Sequence, residues 1–189
     1  MLPLSTKLHE TKFQVCVVGW YYLPEYYEYL ETIGNVSLVA HRAHHLQGRF
    51  SGCIRENIGL EWGAYQHFLN HFWDEASPVL FTHDDIKVVC TEARFWNYVQ
   101  SLVTHSSLMA GPSYTQFFVL KPEALWRIRN DGGFWYDRDN HGNVTRRRFI
   151  VNRGARAFRA QRRRLNIQYS KVSPEGMLEI ATRGSFAPH

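Results

Sequence analysis

Three short apolar runs, each closed by glycine or by polar residues, constrain most strongly what this chain can fold into. Phe13-Gln14-Val15-Cys16-Val17-Val18-Gly19-Trp20 is rich in β-branched residues, short, and ends near a glycine, so it reads as a buried strand. Pro24 then opens a helix through Tyr26, Tyr27, Leu30 and Ile33, and Gly34-Asn35 stops it. Val36-Ser37-Leu38-Val39-Ala40 comes next as a second strand. Strand, helix, strand is the opening of an α/β domain. The third run, Val79-Leu80-Phe81-Thr82, is a further buried strand that stops at the polar group His83-Asp84-Asp85.

The rest of the chain fills in around these runs. Residues 41–50 read as loop, and Ile54-Arg55-Glu56-Asn57 as a short strand. A helix is expected from Gly59 to Trp73, with Ala64, Phe68, Leu69 and Phe72 on its apolar face and Ser77-Pro78 as its breaker. Residues 93–103 suggest another helix. Gly111-Pro112 marks a turn, residues 114–120 a strand, and Pro122 the start of a helix to about Ile128. Asp131-Gly132-Gly133 is a turn. Residues 145–165 carry a helical pattern through Phe158, Arg162 and Leu165. The remaining C-terminal stretch, with Gly176, Gly184 and Pro188, reads as an extended tail.

The chain has 189 residues, 44% of them hydrophobic, which suits one small domain able to bury a core without disulfides. Cys16, Cys53 and Cys90 are odd in number and widely spaced, so neither a disulfide framework nor a zinc site is expected. Cys16 and Cys90 read as buried thiols, which implies a reducing compartment. No signal peptide and no apolar stretch of about 20 residues is present, which points to a cytoplasmic protein, at most attached to a membrane surface. The formal charge is +5, and the excess is concentrated in Arg146, Arg147, Arg148, Arg153, Arg156, Arg159, Arg162, Arg163 and Arg164. Such a cluster suits a phosphate-bearing partner: a nucleotide, a nucleic acid or an anionic lipid surface. The alternative is a solvated helical face.

His83-Asp84-Asp85 carries the clearest chemistry. Ligands of open α/β sheets bind at the carboxyl ends of strands. Adjacent carboxylates repel unless a cation or a donor lies between them, and hard oxygen ligands suit Mg²⁺ or Mn²⁺ shared with substrate phosphates. The plainer reading is that one aspartate caps the next turn. Upstream, Asn57-Ile58-Gly59-Leu60-Glu61-Trp62-Gly63-Ala64-Tyr65 enters a helix. Glycines there let a ligand approach the backbone, and a helix N-terminus favours phosphate. They equally serve turns and close packing.

The combination over residues 57–85 resembles the GT-A nucleotide-sugar glycosyltransferases, in particular bacterial rhamnan-synthesis-type enzymes. The likeness covers roughly residues 13–142. It implies a GT-A-like, Rossmann-like mixed central sheet flanked by helices in a single small domain. Residues 1–145 would form the nucleotide-sugar-binding and catalytic part, with the arginine-rich residues 146–189 packed on it or extending from it. Gly19, Trp20, Asn57, Gly59, Glu61, Gly63 and Asp84 would then border the nucleotide sugar. An Asp-x-Asp-like motif would hold Mn²⁺ or Mg²⁺ on the diphosphate. Here His83 stands where the first aspartate would be, which makes Asp85 the metal ligand, with Asp84 at metal or ribose. That departure leaves metal dependence open. His41 and Arg42, where the family often has an acid, leave the base open.

Gly132-Gly133-Phe134-Trp135-Tyr136-Asp137-Arg138-Asp139 resembles the acceptor-side segment of inverting members. Asp137 or Asp139 would be the base that deprotonates the acceptor hydroxyl. Trp135 and Tyr136 would stack on a sugar, and His141 would be a further metal ligand. Arg146, Arg147, Arg148 and Arg153 would neutralise the diphosphate or hold a polyanionic acceptor. Acceptors in view are a glycan, a lipid-linked phosphate or DNA. There are two rivals: a non-catalytic nucleotide-sugar-binding protein of this fold, and a nucleic-acid-binding or DNA-base-glycosylating protein.

Overall fold

The computed structural model describes residues 13–19, 24–41, 51–138 and 147–180. Strands β1 (Gln14–Gly19), β2 (Asn35–Ala40) and β4 (Val79–His83) run parallel with β1 between the other two, so Val18 lies opposite Val39 on one side and His83 on the other. β3 (Ser51–Ile54) continues the parallel set beyond β2. Beyond β4 the direction changes. β7 (Phe117–Leu120) is antiparallel to β4, β6 (Met109–Ser113) is antiparallel to β7, and β8 (Tyr169–Lys171) is parallel to β6. The seven-stranded order is β3-β2-β1-β4-β7-β6-β8. A separate antiparallel pair joins β5 (Ile86–Val88) to β9 (Leu178–Ile180). The expected mixed central sheet flanked by helices is present.

Every residue of β1 is buried, because helices cover both faces of the sheet. Val15 and Val17 face α1 (Pro24–Glu31) and α3 (Glu92–Thr104), in a core with Tyr27, Leu30, Phe95 and Leu102. Cys16 and Val18 face α2 (Leu60–His71), α4 (Pro122–Asn130) and α5 (Arg147–Arg164), in a core with Trp62, Phe68, Leu125 and Phe158.

Three local expectations are corrected. The short strand lies at Ser51–Ile54 rather than at residues 54–57. It pairs Gly52 with Leu38, where a Cβ would stand 2.1 Å from the Leu38 carbonyl oxygen, so the pairing selects the glycine that strand propensity disfavours. Gly111-Pro112 is not a turn but part of β6, at a register shift between Ala110 and Ser113 where the missing proline N–H breaks no ladder. The hairpin turn falls at residues 114–116 instead. The tail is no free extension as far as Ile180: β8 and β9 each complete a sheet edge that would otherwise leave backbone groups unpaired.

Candidate functional site

The chain leaves β1 for β2 and β3 on one side of the sheet, then crosses to β4 on the other. The carboxyl ends of β1 and β4 therefore form the topological switch point, where open α/β sheets bind ligands. Gly19, His83, Asp84 and Asp85 stand at this point.

Asp84 is turned inward. It is 0% exposed, its amide donates to the Val18 carbonyl at 3.2 Å, and its Oδ2 accepts from the Tyr27 hydroxyl at 2.9 Å. Neighbouring Tyr26 shares a 2.8 Å hydrogen bond with Thr82. Burial pushes the Tyr26 hydroxyl far above its ordinary value, and the charges of Asp85 and Asp84 push the same way, so this phenol stays protonated. Asp85 is the acid that reaches the surface, with its side chain 20% exposed. Its Oδ1 is buried and accepts no hydrogen bond among the described residues.

His83 is oriented from the other side. The Tyr65 hydroxyl donates to the Thr115 carbonyl at 2.7 Å, so its oxygen must accept the 2.7 Å hydrogen bond from His83 Nε2. Nε2 therefore carries a proton, and Nδ1 lies 3.8 Å from Asp85 Oδ1. Burial holds the Tyr65 hydroxyl well above its ordinary value, and the charges of Glu61, Cys16 and Asp85 reinforce this. Glu61 is itself only 4% exposed, one turn before Tyr65 on α2.

Mg²⁺ and Mn²⁺ commonly take one or two protein carboxylates and complete their shell with water and substrate phosphates. The Asp85 Oδ1 fits that part as a hard oxygen that accepts no hydrogen bond among the described residues, with His83 Nδ1 beside it at 3.8 Å. Among these residues no group of three His, Cys, Asp or Glu side chains gathers to form a cage by itself.

The glycines of the α2 entrance serve contacts within the chain. Gly59 has φ +76°, and a Cβ there would meet the Tyr136 ring at 2.5 Å. Leu60 comes next with φ +54°, so two consecutive residues are left-handed at this helix start. A Cβ on Gly63 would stand 1.9 Å from the Ile58 carbonyl, which also accepts from Arg55 Nη2 at 3.0 Å. Burial lowers the affinity of the Arg55 guanidinium for its proton from its ordinary value. Asn57 is half-buried, and its Oδ1 has no hydrogen-bond partner among the described residues.

α2 is also the wall of a second concavity. Gln66 Oε1 accepts from the Phe134 amide at 2.5 Å and ties the Gly-Gly-Phe turn to the helix. That turn closes α4: the Gly133 amide donates to the Ile128 carbonyl at 2.8 Å, with Gly132 and Gly133 at φ +93° and +86°. Between residues 131–138 and the α5 side chains Ala157, Ala160, Gln161 and Arg164 lies a cleft of about 570 Å³. Trp135 is exposed there and Tyr136 half-buried. Asp137 is half-buried and lies in sequence between two cleft residues, Tyr136 and Arg138.

α5 carries eight arginines and no acidic residue. Several are engaged within the fold. Arg153 lies 5.2 Å over the Trp135 ring, Arg159 over Tyr114, and Arg162 over Tyr169. Arg162 Nη1 also donates to the Ile167 carbonyl, and Arg164 pairs with Asp131. Asp131 is held below the usual carboxylate range by hydrogen bonds from Gln161 and Arg164.

The strand-end acids, the α2 entrance and the Trp135–Asp137 stretch are thus linked through α2. Trp20, Arg42, Asp139, His141 and Arg146 lie outside the described residues, as do the side chains of Arg147 and Arg148. Tyr27 and Gln161 join the site without having been singled out by sequence, and Tyr65, which closes the segment from Asn57, gains its link to His83 from the structure. Gln161 has a signal: Gly154, Phe158, Gln161 and Leu165 recur at helical spacing, and Gln161 is the polar member of that inward stripe.

No family model matches the chain, and no curated protein matches it. Among solved structures it is similar to a mutant of Drosophila β-1,4-galactosyltransferase 7, in complex with manganese, UDP-Gal and xylobiose. The TM-score is 0.45 at 8% identity, over 90% of this chain and 71% of that one. Among the described residues no helix is long and apolar enough to cross a membrane.

Proposed function

We propose that this protein transfers a sugar from a nucleotide-diphosphate donor to a hydroxyl acceptor. The observation that carries this reading is Asp85: a surface-reaching acid at the topological switch point whose buried Oδ1 accepts no hydrogen bond among the described residues. The resemblance over residues 57–85 to GT-A enzymes supports it from the sequence side.

Each neighbour has a part. Asp84 is a positioning residue: clamped by Tyr27 and the Val18 carbonyl, it fixes where Asp85 emerges. His83, oriented through Tyr65, flanks Asp85. Gly19 and Asn57 border the nucleotide, and the Asn57 Oδ1 is a buried acceptor with no partner among the described residues. A Mn²⁺ or Mg²⁺ held by Asp85 would supply positive charge to the leaving diphosphate. In the transfer step the acceptor oxygen bonds to the anomeric carbon, the bond from that carbon to the diphosphate oxygen breaks, and the acceptor proton passes to a carboxylate. Asp137 is the described candidate for that base.

The test is donor hydrolysis or transfer with a panel of nucleotide sugars and Mn²⁺. Asp85→Ala should abolish turnover, and Asp137→Asn should lower turnover while donor binding is kept. Tight donor binding by the native chain without turnover would instead identify a nucleotide-sugar-binding protein. The eight arginines of α5 motivate a nucleic-acid reading, tested by a salt titration of DNA binding, which would fall steeply if phosphates are contacted.

A further inference from the structure

We infer that the cleft between residues 131–138 and α5 binds a saccharide carrying an anionic group, a carboxylate or a phosphate. Its service as the acceptor site rests on the transfer reading above; its binding of such a ligand does not.

The argument begins at Gln161, which is 6% exposed. Its Nε2 donates to Asp131 Oδ2 at 2.9 Å and to the Gly133 carbonyl at 2.8 Å. Both partners are acceptors, so the amide cannot be reversed. Its Oε1 is therefore a buried acceptor, it has no partner among the described residues, and Gln161 forms part of the cleft wall. A buried acceptor without a donor is uncommon in folded proteins and asks for one from a ligand. A sugar hydroxyl supplies it.

Charge sets the rest of the ligand. Arg138 and Arg164 line the cleft, against the single carboxylate of Asp131. That carboxylate is already taken by Gln161 and Arg164. Arg138 is exposed and lies 5.7 Å over the Tyr136 ring, presenting its guanidinium beside a flat aromatic face. Guanidinium groups bind carboxylate and phosphate in a bidentate manner. Tyr136 and Trp135 offer flat apolar surface suited to the C–H face of a sugar ring. The small side chains of Ala157 and Ala160 leave the opposite wall open, and the volume of about 570 Å³ lies in the usual range for small-molecule sites. Hydroxyl donor, apolar ring face and anion together describe an acidic or phosphorylated sugar better than a neutral one.

The test is calorimetric titration of the full chain, without donor, at low salt. The probes are a hexuronate-containing disaccharide, a hexose 6-phosphate, a neutral hexose disaccharide and inorganic phosphate. The first two arms separate carboxylate from phosphate as the anionic group. At least one of them should bind about 10-fold tighter than both the neutral disaccharide and inorganic phosphate, and Arg138→Gln should remove about 10-fold of that affinity. Arg138 is exposed, so an unchanged melting temperature verifies that the variant folds. The inference is overturned if the neutral disaccharide or phosphate alone binds equally well, if no anionic sugar binds, or if Arg138→Gln changes nothing. Anionic-sugar binding with no turnover on any donor would remove the transfer reading alone. Turnover confined to neutral acceptors, with anionic-sugar binding intact, would remove the acceptor role of the cleft alone.

Discussion

Gly154→Ala should destabilise the protein, although the general preference of helices points the other way. In a helix interior alanine is favoured over glycine by roughly 0.5–1 kcal/mol. Gly154 sits within α5, but a Cβ there would stand 2.2 Å from Trp62 Cδ1 and 2.4 Å from Nε1. Ordinary carbon contacts are about 3.5–4.0 Å, so the helix or the indole must give by more than about 1 Å. The indole is poorly placed to move. Trp62 is 1% exposed, with Phe158 at 5.1 Å, Tyr65 edge-on at 5.6 Å and Phe134 at 6.3 Å between ring centroids. Overpacking of this kind costs about 1–3 kcal/mol, and a locked ring puts it in the upper half. Net of the helical gain, a loss of roughly 1–2.5 kcal/mol is expected. For a chain of this size that lowers Tm by roughly 3–8 °C. Thermal melts and urea titrations followed by circular dichroism read it, with the m-value unchanged. In a Trp62→Leu background the penalty should largely vanish, and the double-mutant cycle isolates the pair. A Tm equal to or above that of the native chain would refute the contact between α5 and Trp62. With it would go the geometry that holds the α5 wall of the cleft.

The hydrogen-bonded polar groups give two further expected outcomes. Tyr65→Phe leaves the Thr115 carbonyl and His83 Nε2–H without their partner and should cost about 1–3 kcal/mol by urea denaturation; a change within error would show that the hydroxyl links nothing. Asp131, held low by Gln161 and Arg164, has a folded pKa beneath the unfolded value of about 3.9. Its stabilising contribution is therefore complete above about pH 5 and disappears as pH falls through the folded value. Asp131→Asn should flatten the acid limb of the stability–pH curve, and an unaltered limb would refute the assignment.

The sequence by itself determined the strands that make the switch point. A run such as Val15-Cys16-Val17-Val18 has no polar alternation, and only a strand covered on both faces can bury it. The same local logic located α1, α2, α3 and α4, the glycine turn at Gly132-Gly133, and the emergence of Asp84 and Asp85 where an apolar run ends. Tertiary structure decided what depends on partners distant in the chain. Gly52 is a strand residue only because Leu38 lies against it, and the tail forms β8 and β9 only because β6 and β5 leave edges to pair. It also separated the two acids, burying Asp84 under Tyr27, 57 residues away, while Asp85 reaches solvent. No spacing rule distinguishes adjacent aspartates, since the difference lies in which one meets a donor from another helix. The glycines at 59 and 63 read alike for ligand approach or close packing, and the contacts with Tyr136 and the Ile58 carbonyl became visible only once the chain had closed on itself.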